Sequence, residues 1–315
     1  MSIKSINHEK FFETFDDHSP DHWTVGQVGF GYIGTAVYEL FRNDFTLRVY
    51  DKARPELDSL ERVVSDSHVI FVAVPTPMER DGSCHTGIVE SVLQDIQNAA
   101  LKVERDLEDF VVVIKSTVPP GFTARMSERF ALRLLFSPEF LTEKNSVSDF
   151  RDSSRVILGG NPEDASVVYK FFERVLVDRL HHNYTDHPAG PVNIICCDST
   201  TAELVKYFTN VYLTTVVMFA NEFNSVCRAL DVDYDVVKTL ALLDSRISPS
   251  HLNVPGHDGK LGFGGSCFPK DINSLRAVCQ ELNIPERLFS AIIMRNEELR
   301  PSRDWEQLKG RAVVE

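Results

Sequence analysis

The first two thirds of the chain alternate between short apolar runs and amphipathic stretches. Uninterrupted apolar runs, typical of strands buried in a parallel sheet, occur at residues 69–74, 110–114 and 134–136. Further strands are predicted at 24–30, 47–50 and 156–159, the last as the final strand, with helices at 35–43, 88–101 and 162–176. This order predicts an α/β fold class, with a Rossmann-like doubly wound sheet over residues 24–199.

The pattern changes at residue 200. Residues 200–230 contain neither Gly nor Pro and are apolar on most faces, which predicts one long helix that is buried or forms a dimer. Shorter helices are predicted at 232–243, 272–282 and 284–300. We therefore expect an all-helical domain over 200–300, preceded by a polar leader (1–23) and followed by a tail (301–315).

Composition narrows the function classes. The 315 residues suffice for two domains, and the net charge of −13 argues against nonspecific binding to nucleic acid or anionic membranes. No apolar run reaches the ~18 residues that a spanning helix needs, so no membrane association is expected. The six cysteines show no CxxC spacing, which favours free thiols in a reducing, cytoplasmic setting and indicates no metal site.

A dinucleotide-binding pattern follows the first predicted strand. Residues 29–34 read Gly-Phe-Gly-Tyr-Ile-Gly, and Asp51 ends the next strand 22 residues after Gly29. Such glycines allow a tight turn and close approach of a pyrophosphate, and the acid binds ribose hydroxyls. An acid here favours NAD over NADP, although the neighbouring cations Lys52 and Arg54 run against that preference.

Polar clusters follow three of the other predicted strands, at 75–77, at 116–117 and at Glu139 with Glu143. Ligands of doubly wound sheets bind at the carboxyl ends of the strands. Each cluster is also compatible with ordinary turn chemistry, but their shared position favours a binding site.

The segment Gly-Phe-Gly-Gly-Ser-Cys-Phe-Pro-Lys-Asp (262–271) is the strongest candidate for chemistry. It places Cys267 in a glycine-rich loop, close to Lys270 and Asp271, where a cation favours a thiolate nucleophile. The alternative is a small buried core cysteine. Lys206 and Asn210 lie four residues apart, hence on one face of the long helix, although Lys206 could equally be a solvated surface lysine.

Seven segments together resemble the nucleotide-sugar dehydrogenase family, that is, the UDP-glucose 6-dehydrogenases and their UDP-N-acetylhexosamine and GDP-mannose relatives. The matching segments, in the family's order, are GFGYIG, VAVPTP, KSTVPPG, SPEFLTE, AELVKYFTN with FANE, DSRI, and GFGGSCFPKD. The resemblance extends from about residue 25 to residue 300.

The resemblance implies a four-electron oxidation of a sugar C6 alcohol to the acid, with two NAD reduced in turn. The intermediate aldehyde would be held on Cys267 as a thiohemiacetal, then oxidised to a thioester that water hydrolyses. Lys206 and Asn210 would stabilise the oxyanion at C6, Asp271 and Thr117 would position a water that relays protons, and Glu139 would be the base for hydrolysis.

The resemblance also implies the binding residues. NAD would be bound by Gly29, Gly31, Tyr32, Ile33, Gly34, Asp51, Thr76, Thr117, Glu143 and Lys270. The nucleotide sugar would be bound by Phe140, Leu141, Glu143, Lys206, Asn210, Arg246, Phe263, Gly264 and Gly265. Arg246 matches an arginine that relatives insert into the neighbouring subunit's site, which implies a homodimer formed through the 200–230 helix.

This sequence departs from the family pattern at four positions and in length. Ala36 replaces a usual proline, His85 an aspartate, Lys144 a glycine, and Val216 a residue that is often basic. The family's third, nucleotide-binding domain has no counterpart here. Another polypeptide would supply it, the substrate would be smaller, the chain would be a shortened form, or activity would be lost. Neither the sugar nor the nucleotide can therefore be named.

Two other functions remain open. One is a non-enzymatic, NAD-binding dimeric scaffold, although such a protein has no need for the set Cys267, Lys206, Asn210, Asp271 and Glu139. The other is a hydroxyacid dehydrogenase of the 6-phosphogluconate type, which shares the two-domain plan but needs no cysteine.

Overall fold

The computed structural model describes residues 23–142, 145–177 and 191–315. The chain divides into two compact units, and the boundary falls inside one long helix, between Lys206 and Tyr207. The first unit comprises the residues up to Pro75 and residues 86–206; the second comprises residues 76–85 and 207–315. We call them the sheet unit and the helical unit. Of the predicted leader only Trp23 is described, and its ring stacks on that of Phe171.

Seven strands among the described residues form one sheet in the sheet unit. They are β1 (Thr24–Val28), β2 (Thr46–Tyr50), β3 (Val69–Val72), β4 (Val111–Ile114), β5 (Arg133–Phe136), β6 (Arg155–Gly160) and β7 (Asn193–Cys197). Their spatial order is β2-β1-β3-β4-β5-β6-β7, and only the β5–β6 pair is antiparallel. Because β1 lies between β2 and β3, the winding reverses there, which is where ligands of such sheets bind.

Six helices are described in the sheet unit: α1 (Tyr32–Phe41), α2 (Leu60–Asp66), α3 (Gly87–Lys102), α4 (Phe122–Arg129), α5 (Ser146–Arg151) and α6 (Pro162–Val175). Two of them, α2 and α6, begin at a side-chain cap. Ser59 caps α2 by accepting a hydrogen bond from the N–H of Arg62. Asn161 caps α6 in the same way, with Pro162 in the first turn, where a missing N–H is harmless.

Two apolar cores cover the two faces of the sheet. Ile70 and Val72 of β3 pack in the core that contains Leu93 of α3, whereas Phe71, between them, packs in the core that contains Phe172 of α6. Alternate residues of a strand point to opposite faces. The uninterrupted apolar runs in the sequence are therefore explained, because both faces of these strands are buried.

The helical unit is built around the long helix α7 (Ser199–Ala229), from Tyr207 onward. Its other helices are α8 (Tyr234–Ala241), α9 (Phe268–Glu281) and α10 (Arg287–Leu299). Residues 76–85 pair with the C-terminal residues: the N–H of Met78 donates to the carbonyl of Ala312 (2.8 Å), and the N–H of Val314 donates to the carbonyl of Met78 (3.0 Å). The predicted tail is thus an ordered part of this unit.

The predicted fold class, a Rossmann-like sheet followed by helices, is confirmed. The prediction that residues 156–159 form the final strand was wrong, because β6 is followed by β7. β7 is an edge strand whose residues 194–197 are half-buried, and these residues, Ile-Ile-Cys-Cys, form a short apolar run that the prediction overlooked. Residues 76–85, predicted within 24–199, cluster with the helical unit instead. No helix among the described residues is long and apolar enough to cross a membrane.

Candidate active site

The turn between β1 and α1 contains the three glycines of the dinucleotide pattern, and each has a different environment. Gly29 has φ +89°, and a Cβ there would meet the carbonyl oxygen of Ala73 at 2.5 Å. A Cβ on Gly34 would meet the carbonyl oxygen of Gly29 at 2.2 Å, so only glycine lets α1 approach the turn. Gly31, at the start of α1, is exposed and has no atom within 4 Å of such a Cβ. The open space at Gly31 fits the close approach of a ligand's pyrophosphate to a helix N-terminus.

Asp51, at the carboxyl end of β2, closes this turn. One carboxylate oxygen accepts from the N–H of Phe30 (2.7 Å) and the other from the N–H of Ala53 (2.8 Å). The side chain is only half-buried, and each oxygen retains a second lone pair. The carboxylate is therefore held in place and can still accept from ribose hydroxyls, so this turn fits a dinucleotide.

The other predicted cofactor residues are distributed over both units. Tyr32 and Ile33 lie half-buried in the first turn of α1, and Thr117 is buried after β4 in the sheet unit. Thr76 and Lys270 are buried in the helical unit. Glu143, predicted to bind both NAD and sugar, and the neighbouring departure Lys144 lie outside the described residues.

Glu139 and Lys206 form a buried ion pair in the sheet unit. The Lys206 ammonium donates to the Glu139 carboxylate (2.8 Å) and to the Glu139 carbonyl (2.7 Å), and each residue is 3% exposed. The second carboxylate oxygen accepts from the N–H of Leu141 (2.7 Å). The alternative of a solvated Lys206 is thus wrong. Glu139, the predicted base, and Lys206, the predicted cation, are therefore in direct contact. The centroid of the Phe140 ring lies 5.8 Å from the Lys206 ammonium.

A second lysine, which sequence reasoning missed, belongs to the same cluster. Lys115 is fully buried, and its ammonium donates to the Ser137 hydroxyl (3.2 Å) and the Pro138 carbonyl (3.2 Å). Burial lowers the pKa of Lys115 to about 7, with Glu139 acting to raise it and Lys206 acting to lower it. Lys115 thereby holds the two residues that precede Glu139. The position of Lys115 at the end of a buried strand was the feature of the sequence that could have marked it as a site residue.

Glu203, one helical turn before Lys206, was also missed. Its fully buried carboxylate accepts from the N–H of Gly121 (2.5 Å) and the N–H of Thr123 (2.8 Å), at the start of α4. Burial raises the pKa of Glu203, against the lowering effect of these hydrogen bonds. The carboxylate thus ties the segment 115–121, which includes Thr117, to the start of α7.

In the helical unit, the side chain of Asn296 fixes the glycine-rich segment. Its carbonyl oxygen accepts from the N–H of Phe263 (2.7 Å), and its amide donates to the carbonyl of Phe263 (2.9 Å). A Cβ on Gly264 would meet the Arg300 guanidinium carbon and an Asp304 carboxylate oxygen, each at 2.8 Å, so a side chain there would have to displace this ion pair. Gly265, by contrast, has no atom within 4 Å of such a Cβ and is exposed. Gly265 is the one of this pair that leaves room for a ligand.

Cys267 immediately precedes α9 and is half-buried. The N–H of Asp271 donates to the Cys267 carbonyl (2.9 Å), which closes the first turn of the helix, and the Ser266 hydroxyl lies 3.7 Å from the Cys267 sulfur. A helix N-terminus stabilises negative charge. The alternative of a buried core cysteine does not hold, because the side chain is partly accessible.

Asp271 contacts two other predicted site residues of the helical unit, Asn210 and Lys270. Its carboxylate is fully buried, accepts from the Asn210 amide (2.5 Å) and is paired with the Lys270 ammonium. Burial acts to lower the pKa of Lys270, but Asp271, followed by Cys84 and Cys267, raises it above the usual value. Lys270 is therefore a permanent cation beside the Cys267 thiol. Burial raises the pKa of the Cys84 thiol.

Arg246 is not brought to these groups. It lies in the loop after α8, its side chain is 87% exposed, and it pairs with Asp244 (2.5 Å). Its predicted role in a neighbouring subunit stays a prediction. Among the predicted groups, the sheet unit thus brings Glu139 to Lys206, and the helical unit brings Asn210 and Lys270 to Asp271.

Comparison with known proteins identifies relatives along most of the chain. The model of the UDP-glucose/GDP-mannose dehydrogenase family, NAD binding domain, matches residues 48–176, and that of the same family's central domain matches residues 200–298. The UDP-glucose 6-dehydrogenase of Rickettsia bellii is 29% identical over 272 residues, covering 84% of this chain and 57% of the relative. That of Campylobacter jejuni is 34% identical over 232 residues, covering 72% of this chain and 52% of the relative.

A solved structure supports the same likeness. The UDP-glucose dehydrogenase from the hyperthermophilic archaeon Pyrobaculum islandicum has a TM-score of 0.76 and 26% identity, covering 90% of this chain and 70% of that chain. The chain spans a little over half the length of the two curated relatives.

Proposed function

The chain belongs to the UDP-glucose/GDP-mannose dehydrogenase family, and on that premise we propose that it oxidises the C6 alcohol of a nucleotide sugar to the carboxylate. It carries this family's NAD binding domain, so its cofactor is NAD. UDP-glucose is the first substrate to test, because relatives that match 84% and 72% of this chain are UDP-glucose 6-dehydrogenases.

The observation that carries the proposal is the arrangement at the start of α9. Cys267 is followed within one turn by the buried Lys270–Asp271 pair, and Asn210 donates to the same carboxylate. A half-buried thiol beside a permanent cation suits a nucleophile. A purely structural role explains neither the buried ions nor the exposed glycine that precedes the thiol, Gly265.

The proposed reaction has two oxidative stages and one hydrolysis. NAD, when bound, accepts a hydride from C6 in each oxidative stage. In the first stage a water held by Asp271 and Thr117 takes the hydroxyl proton, which leaves an aldehyde. The Cys267 thiolate then adds to the aldehyde carbon, and the oxyanion of the resulting thiohemiacetal is stabilised by Lys206 and Asn210. Loss of the second hydride gives a thioester.

Hydrolysis of the thioester completes the reaction. Glu139 removes a proton from the attacking water, the C–S bond breaks, and the Cys267 thiolate and the sugar carboxylate are released. Each Glu139 oxygen accepts one side-chain or backbone N–H bond, from Lys206 or from Leu141, and retains a second lone pair that can accept from the water. The covalent intermediate prevents loss of the aldehyde.

We propose that the active form is a homodimer formed through α7, with Arg246 acting in the neighbouring subunit. The support is a row of exposed apolar side chains at spacings of three, four and seven residues along this helix. The row comprises Phe208 (74% exposed), Tyr212 (54%), Phe219 (62%), Phe223 (41%), Val226 (52%) and Leu230 (69%). The cytoplasmic location stays a prediction.

The decisive experiment compares the wild type with Cys267→Ala. With saturating NAD and UDP-glucose, GDP-mannose or UDP-N-acetylhexosamines, we expect two NADH for each sugar acid formed by the wild type. Cys267→Ala should form no acid and still bind NAD. Cys279→Ala is the matched control, since this buried cysteine lies on the same helix, α9, away from the ions. Acid formation by Cys267→Ala would disprove the covalent route, and no NADH from wild type with any sugar would disprove the activity.

A further inference from the structure

Arg155 lies at the functional edge of the sheet because β6 runs against its neighbour. In the antiparallel β5–β6 pair, Phe136 is opposite Gly159. Arg155 precedes Gly159 by four residues and Phe140 follows Phe136 by four, so the register carries Arg155 past the carboxyl end of β5, to the level of Phe140. The first residue of a parallel strand would lie at the opposite edge.

The guanidinium of Arg155 stacks on the ring of Phe140 and finds no polar partner in the part of the chain that the structure describes. Its central carbon lies 4.2 Å from the centroid of the Phe140 ring. The Nε atom is buried without a hydrogen-bond acceptor, and among the described residues the guanidinium forms no hydrogen bond or ion pair. Buried polar groups almost always have partners, and an arginine carries five donors arranged to match phosphate oxygens. An anion from outside the chain would satisfy them.

Arg133 on the neighbouring strand shows the usual arrangement. It lies at the start of β5, at the amino edge of the sheet, and donates to the Asp164 carboxylate (2.7 Å) and the Glu108 carbonyl (2.6 Å). Arg133 is therefore satisfied by the protein, whereas Arg155, at the carboxyl edge, is not.

We propose that Arg155 binds the diphosphate of the nucleotide sugar, an inference that rests on the proposed function. Both substrates of that reaction carry a diphosphate, and the sheet geometry decides between them. The glycine turn that fits the cofactor pyrophosphate follows β1, and β6 lies four sheet positions from β1. At about 4.8 Å between strands, Arg155 is roughly 19 Å from that turn. The phosphate bound by Arg155 thus belongs to the sugar nucleotide, with the Phe140 ring holding the guanidinium in place.

The test measures the binding of UDP, GDP and NADH by isothermal titration, which needs no turnover. The ligand compared is UDP or GDP, whichever binds the wild type more tightly. Its affinity should fall about 10- to 100-fold in Arg155→Met, because this variant keeps the apolar contact with Phe140 but loses the charge. Arg155→Lys should show a smaller loss, because it keeps the charge and loses the fork. NADH affinity should stay within twofold in both variants, and since NADH binds the same sheet, it also reports that the sheet is folded. Arg133→Met is the matched control and should bind each nucleotide like wild type.

Three outcomes would overturn the proposal. In the first, both Arg155→Met and Arg155→Lys bind the nucleoside diphosphate within twofold of wild type. In the second, Arg155→Lys loses as much affinity for NADH as for the nucleoside diphosphate. In the third, the wild type binds neither UDP nor GDP at millimolar concentration. Failure of the proposed function is a separate result. If wild type forms NADH from a nucleotide sugar while Arg155→Met keeps the wild-type KM for it, the function stands and the role of Arg155 does not.

Discussion

The helix α7 departs from the pattern of an ordinary surface helix, because its buried side contains polar residues beside apolar ones such as Val211 and Met218, and its other side exposes large apolar residues. One face buries polar residues: Glu203 and Thr214 are fully buried, and Lys206, Asn210 and Asn221 are at most 6% exposed. The other face exposes apolar residues, among which Phe208 is 74% and Phe219 is 62% exposed. Surface helices usually bury their apolar stripe and leave polar groups in water. These two departures, the buried polar side chains and the exposed apolar ones, are what a helix that serves only to fill a core would not need.

The buried polar side chains of α7 differ from those of a poorly packed core because they have hydrogen-bond or ion-pair partners. Lys206 pairs with Glu139, Asn210 with Asp271, and Glu203 with two backbone N–H groups. The Asn221 side chain accepts from the N–H of Gly262 (3.2 Å) and donates to the carbonyl of Val217 (2.8 Å). An unpaired polar group would cost about 1–3 kcal/mol at each position. Among the described residues nothing covers the apolar face in this way, and the proposed dimer would cover it with a second copy of the chain.

The largest effect is expected from Lys206→Met on the polar face. It removes the cation proposed to stabilise the oxyanion, so kcat for NADH formation should fall by about 10²- to 10³-fold. It also leaves Glu139 buried without its ion pair, which should lower the free energy of unfolding by about 3–5 kcal/mol. Stopped-flow absorbance of NADH and urea unfolding measure the two effects.

Lys102→Met is the matched control for Lys206→Met. Lys102 ends α3, its side chain is 71% exposed, and it pairs only with Glu61 on the surface. We expect no change in kcat and less than about 1 kcal/mol in stability. If Lys206→Met kept kcat within tenfold of wild type, the polar face would be structural and would not take part in the reaction.

An effect of intermediate size is expected from Phe219→Glu on the apolar face. A carboxylate buried in an apolar interface without a partner is strongly unfavourable, so the protein should shift from dimer to monomer. Sedimentation velocity at micromolar concentration measures the change. Leu101→Glu is the control, because Leu101 is 64% exposed on α3, outside the apolar row. A wild type that sediments as a monomer, or a Phe219→Glu variant that stays dimeric, would refute the assignment of this face to a second copy.

The sequence predicted those parts of the site whose chemistry is local. Gly29, Gly31 and Gly34 with Asp51, and Cys267 with Lys270 and Asp271, lie within short segments in which spacing alone restricts the geometry. The fold class was equally accessible, because strands buried on both faces are apolar without interruption. β7 was missed although its residues 194–197, Ile-Ile-Cys-Cys, are an uninterrupted apolar run.

The remaining parts depend on contacts between distant segments. Glu203 accepts from the N–H of Thr123, 80 residues away in the chain, and nothing near Glu203 indicates that partner. The position of Arg155 depends on the antiparallel direction of β6, which a short apolar run does not encode. Lys115 reads as an ordinary polar residue after a strand until burial beside Glu139 and Lys206 is known.

A pH-dependent effect is expected from Lys115, and it tests whether the polar face of α7 tolerates a second cation. Burial lowers the pKa of Lys115 to about 7, against an ordinary value of 10.5, and Glu139 and Lys206 are the charged groups that act on it. Between these two values the unfolded chain holds the proton and the folded chain has released it, so the free energy of unfolding should rise with pH across this window. The rise is at most about 1.4 kcal/mol per pH unit, and it should be absent in Lys115→Met. Urea unfolding of both proteins from pH 6.5 to pH 9.5, with Lys102→Met as the control, gives the difference. If that difference were independent of pH, Lys115 would remain charged in the folded protein and Lys206 would share its pocket with a second ammonium.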